Sequence, residues 1–140
     1  MADPNTVRDA ILGFLFTIVV VMVGFMVGPA VETRFFPVYS RFELIAVQES
    51  EGGTIAQFRY WKLRECPAQG FSWYVGELGA ANRQVPVTPT TKLNAPRSVG
   101  EHITTPYLIE AEPRQVKGGM RAEIWNRCHP FWLTRTEIYP

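Results

Sequence analysis

The chain has 140 residues and a net charge of +1, room for one modest domain and no bulk field of the kind that marks a nucleic-acid binder. The average hides a division: Ala10 to Val31 carries no charged side chain, while the remainder is polar, aromatic and rich in Gly and Pro. That division excludes a uniformly soluble domain more firmly than any motif identifies an activity.

The uncharged run, AILGFLFTIVVVMVGFMVGPAV, spans 22 residues. As a helix it covers roughly 33 Å, enough for a hydrocarbon core about 30 Å thick. Asp3 is placed as an N-cap, Pro4 fits the first helical position, and Pro29 predicts the helix end. A cleaved signal peptide is the rival reading. It is disfavoured because Arg8 is the sole basic residue before the run, and the run exceeds the roughly 7–15 residues of a signal core. The sequence therefore divides into a membrane anchor over 1–31 and a β-rich extramembrane domain over 32–140. Gly24 and Gly28 form a G-x-x-x-G pair on which a second helix can pack, in self-association or with a protein partner. Phe35, Phe36 and Tyr39 follow the span and are expected at the membrane interface, so the lipid bilayer is the first partner.

From Glu32 onward the pattern is one of strands and turns. Phe42–Gln48 and Thr54–Leu63 are predicted to pair as a hairpin around Ser50–Gly53. Cys66–Gly70 reads as a loop, Phe71–Leu78 and Gln84–Thr88 as strands, and Pro89–Gly100 as a long loop. His102–Glu112 resumes extended structure, bent or at an edge because of Pro106. Lys117–Gly119 reads as a second hairpin turn into Met120–Cys128, where Met120, Ala122 and Ile124 share one face and Arg121, Glu123 and Arg127 the other. Phe131–Tyr139 ends the chain. The fold class is thus a transmembrane helix plus an all-β domain, an antiparallel sandwich or small barrel. The order Cys66, Trp73, Cys128 allows an immunoglobulin-like sandwich, with Trp73 or Trp61 as the buried indole.

Cys66 and Cys128 are 62 positions apart and are expected to form a disulfide, which places the domain in an oxidising, extracytoplasmic space. The basic flanks, Arg8 before the span against Arg34 and Arg41 after it, lean weakly the other way.

No catalytic signature emerges. Residues 32–140 contain no Asp; the histidines are His102 and His129; there is no nucleophile elbow, phosphate loop or metalloprotease pair. An envelope enzyme would need Glu110, Glu112 or Glu123 beside a histidine. Cys66, Cys128, His102 and His129 suit zinc by type but not by spacing, and adjacent Cys128 and His129 point to opposite strand faces. No metal or cofactor is expected. The basic–aromatic run Arg59–Arg64 is best read as a strand with one core face and one solvated face, and no nucleic-acid partner is expected.

The stretch Arg127-Cys128-His129-Pro130-Phe131-Trp132-Leu133-Thr134-Arg135-Thr136, with Lys62-Leu63-Arg64-Glu65-Cys66 upstream, resembles a pattern in small membrane-anchored proteins of bacteriophage and prophage genomes. That group has no assigned activity. The resemblance covers about the last two-thirds of the chain and implies a context: a phage virion or bacterial envelope. The expected function is a non-enzymatic, membrane-anchored binding or assembly module, a minor structural protein. The alternative is a holin-like lysis or pore-forming protein.

Overall fold

A computed structural model describes residues 4–76, 83–91 and 97–140. The expected cap, Asp3, lies outside the described residues, as does Leu78 at the expected end of its strand.

Helix α1 runs from Pro4 to Phe35. It is the one described helix long and apolar enough to cross a membrane, with a mean hydropathy of 2.8 over its most apolar window and none of that window buried. Phe14, Phe16 and Met26 all stand exposed. The helix passes through Pro29 and continues to Phe35, six residues beyond the predicted end. Proline removes one ladder hydrogen bond. Here the last turns are held from outside, by contacts between α1 and the C-terminal strand, so the missing bond does not end the helix.

The rest of the chain forms two antiparallel sheets. In the first, β1 (Glu43–Ser50) pairs with β2 (Gly53–Lys62), which also pairs with β6 (Gly100–Ile103) and β7 (Tyr107–Ile109); β7 in turn pairs with β5 (Val87–Pro89). The predicted hairpin is present, with Ser50 opposite Gly53. Glycine is required at Gly53: its φ is 151°, and a Cβ there would lie 2.2 Å from the Ile109 carbonyl oxygen. In the second sheet the order is β4 (Arg83–Val85), β3 (Ala68–Val75), β8 (Met120–Asn126), β9 (Thr134–Tyr139).

The core lies between the sheets. Phe58 of β2 meets Trp73 of β3 and Tyr139 of β9 at ring-centroid distances of 5.2 and 5.3 Å. Met120, Ala122 and Ile124 face inward from β8, as their alternation predicts. Tyr60 and Lys62 are buried while Arg59, Trp61 and Leu63 are exposed, so that strand has the expected core and solvated faces and Trp73 is the buried indole.

Several expectations are corrected. The sheets do not close into a barrel. Lys117–Gly119 is not a hairpin turn but the end of a short helix, α2 (Pro113–Gly118), in which Val116 enters the core. Pro113 supplies the first-turn φ, and the Gln115 side chain accepts the Glu112 backbone N–H at 3.0 Å. His102–Glu112 falls in two strands, because the Thr104–Pro106 segment separates β6 from β7 along their common partner β2. β3 starts at Ala68, inside the expected loop, and β5 extends to Pro89. The final strand begins only at Thr134, which frees Phe131–Leu133 as loop. Glu123 does not face solvent but is buried, ion-paired to Arg121 at 3.3 Å and to Arg135.

Cys66 and Cys128 form a disulfide. It is not the inter-sheet bridge of an immunoglobulin domain. Cys66 lies two residues before β3 and Cys128 two residues after β8, and those strands are neighbours with Ala68 opposite Asn126. The bond therefore staples one end of a single sheet.

Candidate functional site

The chemistry of the chain concentrates where the last turns of α1 meet the disulfide-bound end of the second sheet. Just before Cys128, Arg127 donates its N–H to the Pro67 carbonyl at 3.0 Å, fixing the base of the loop Arg127–Leu133. His129–Pro130 turns the chain, and the Trp132 indole stacks on the His129 ring with centroids 3.7 Å apart and planes 9° from parallel. The benzene-ring edge of that indole lies against Gly28. A Cβ at Gly28 would come within 2.8 Å of the Trp132 ring, so glycine is what lets the loop approach the helix. One turn earlier, Phe25 meets Phe131 at 5.9 Å and Trp132 at 6.0 Å, both edge-on.

Glu32 closes the joint. Its Oε2 accepts the Trp132 indole N–H at 2.8 Å and the Thr134 hydroxyl at 2.6 Å, and its Oε1 accepts from the Arg64 guanidinium at 3.1 Å. Three segments distant in sequence thus converge on one carboxylate whose side chain is 12% exposed. A charge so placed is tolerable because three donors, one of them a guanidinium, replace the water it has lost. Arg64 also donates to the Phe36 carbonyl at 2.8 Å. Thr33 donates to the Arg135 carbonyl at 2.9 Å, and Phe42 donates its N–H to the Ile138 carbonyl at 2.6 Å, so the free edge of β9 is covered by the chain leaving the helix. Beside the joint lies an open cleft of about 750 Å³. Arg34, Arg41, Arg121 and Arg135 line it together with Glu123 and Glu137. Arg121 and Arg135 share the single carboxylate of Glu123, whereas Arg34 and Arg41 make no ion pair among the described residues.

The structure separates the residues singled out in the sequence. Cys66 and Cys128 come together at the base of the loop. Gly24 and Gly28 part company: Gly24 has nothing within 4 Å, while Gly28 is taken by Trp132 of the same chain. Phe35 and Phe36 are 69% and 58% exposed. Tyr39 instead joins the domain, pairing through its backbone with Lys62 and packing its ring 5.7 Å from Tyr60.

The residues weighed for catalysis do not assemble. His102 bonds the Ser98 carbonyl at 2.7 Å and His129 stacks on Trp132; neither has a carboxylate partner among the described residues. Glu112 pairs with Arg114 at 2.6 Å beside α2. Among the described residues no group of three or more His, Cys, Asp and Glu is placed to hold a metal ion.

The sequence assigns no site role to Glu32, and Trp132 and Thr134 enter it only within the stretch that carries the resemblance. Glu32 does carry a signal: it is the first charge after the uncharged run. The contact of Trp132 with the helix has no local signal, because the segment from Phe131 reads as the start of a strand.

Comparison of the chain with protein-family profiles, with curated proteins and with solved structures found no match.

Proposed function

We propose that this chain is a single-pass, membrane-anchored, non-enzymatic assembly module, a minor structural protein of a phage virion or bacterial envelope complex, with its β domain on the extracytoplasmic side. The observation that carries the reading is the joint. A domain merely tethered to a bilayer needs a linker; here helix and domain share a carboxylate, an indole packed on a glycine and a hydroxyl bond to a strand carbonyl. Such a joint fixes the orientation of the domain on its anchor, which suits a scaffold that must present one face to its neighbours. The disulfide supports the oxidising compartment. The open Gly24 surface supports a partner helix, or a second copy, within the bilayer.

The test is expression of the full chain in a bacterial envelope. The expected result is resistance to carbonate extraction, protease access to a C-terminal tag from the periplasmic side, and Cys66 and Cys128 labelling with maleimide only after reduction. Membrane potential, followed with a dye, should persist. Thiols that label without reduction would overturn the topology, and prompt collapse of the potential would favour the pore-forming alternative.

A further inference from the structure

We propose that the loop Arg127–Leu133 is a second membrane contact, with Phe131, Trp132 and Leu133 seated in the interfacial layer of the leaflet from which α1 emerges. The inference rests on reading α1 as the anchor, and it follows from depth. About 20 residues cross a hydrocarbon core. Counted from Ala10, just after the charged pair Arg8 and Asp9, the core ends near Pro29. Phe25 then lies about 6 Å below that edge at 1.5 Å per residue. The Phe131 ring is 5.9 Å from the Phe25 ring and the Trp132 ring 6.0 Å. Even if that whole separation points outward, the two aromatics reach only the border between hydrocarbon and headgroups.

The side chains fit that border. Phe131 is 68% exposed and Leu133 is exposed too, an apolar pair that the domain itself does not cover. Trp132 has its indole N–H satisfied by Glu32, so withdrawing the ring from water orphans no donor. Indoles at this depth form the aromatic belts of membrane proteins. Arg34, further along α1, and Arg41, which lines the cleft beside Leu133, have no ion-pair partners among the described residues and are available to headgroup phosphates. The disulfide at the loop's base holds the contact in place, since Cys128 is the loop's second residue.

Nitroxide labels on the full chain in phosphatidylcholine–phosphatidylglycerol vesicles test this. Added thiols are introduced singly at Phe131→Cys, at Val20→Cys within the span, and at Arg114→Cys. Arg114 is in α2, which packs at the Met120 end of β8, opposite the Asn126 end that leads into the loop. Collisions with oxygen report lipid, and collisions with a water-soluble nickel chelate report solvent. The expected result is that labels at 20 and 131 meet oxygen more than nickel, and the label at 114 the reverse. If position 131 behaves like 114 while 20 is buried, the anchor stands and the loop contact is overturned. If position 20 is itself aqueous, the anchor reading fails and the loop proposal falls with it. Leu133→Cys provides a second loop position and should give the same result as 131.

Discussion

Replacing Glu32 by Ala should undock the helix from the domain without unfolding either sheet. The substitution removes the acceptor shared by Trp132, Thr134 and Arg64. Thr134 is fully buried, and its hydroxyl loses its partner. The indole N–H loses its partner as well. An orphaned buried donor costs about 1–3 kcal/mol. The Arg64 arm is part-exposed, at 37%, and contributes no more than the roughly 0–1 kcal/mol of a solvated pair. The joint should therefore weaken by about 3 kcal/mol, on the order of a hundredfold in the docking equilibrium. The assay is a double-mutant cycle of Glu32→Ala with Trp132→Phe in nanodiscs, following the docking equilibrium and denaturant midpoint by fluorescence. Contacting partners should show a coupling energy above about 0.5 kcal/mol. Additive effects, or a Glu32→Ala chain as stable as its parent, would refute the account of the joint.

Three further outcomes follow from the same geometry. Serine at both Cys66 and Cys128 should lower domain stability by about 4 kcal/mol, from a 62-residue separation, with a denaturant midpoint as the measure. Gly28→Leu should release Trp132, because its first side-chain atom already falls within 2.8 Å of the ring, whereas Gly24→Leu should leave the joint intact and abolish the proposed helix pairing, read by cross-linking. Burial holds the Tyr39, Tyr107 and Tyr139 phenols above the ordinary tyrosine value of 10.0. The folded state therefore keeps their protons longer than the unfolded chain. Stability should be unaffected by them below pH 10 and should fall as pH rises through the higher folded values. Ring-carbon resonances assigned to these three tyrosines and titrating near pH 10 with circular dichroism unchanged would contradict this.

The parts of this fold legible in the sequence are those written in local periodicity. Ala10–Val31 announces its helix by composition, and Met120, Ala122 and Ile124 announce a core face by alternation. The β1–β2 hairpin is announced by its glycines. What alternation cannot show is which polar residue has a partner waiting. Glu123 sits on the face expected to be solvated, yet it is buried because Arg135, brought alongside by the β8–β9 pairing, supplies the counter-charge. Lys62 is buried by the same logic, with Glu65 at 3.1 Å and the Arg97 carbonyl at 2.5 Å. Pro29 misled in the opposite sense. A local rule ended the helix there, and contacts made by Thr33 and Glu32 about a hundred residues along the chain carried it on.

The joint also explains why the two glycines of one motif have different fates. A G-x-x-x-G pair strips side chains from one stripe of a helix, and any flat surface can use the gap. At Gly28 the gap is filled from within the chain, by an indole that a disulfide, a proline and a stacked histidine deliver to the helix. At Gly24, one turn deeper, the stripe remains bare. A partner helix approaching along that stripe would meet Gly24 first and be stopped at Gly28 by Trp132. Association in the bilayer should therefore be confined to the part of the span N-terminal to the joint. Single cysteines along α1 should cross-link between copies at positions up to about Gly24 and fail from Phe25 onward. Equal cross-linking through Gly28 would mean that Trp132 leaves the helix when two copies meet.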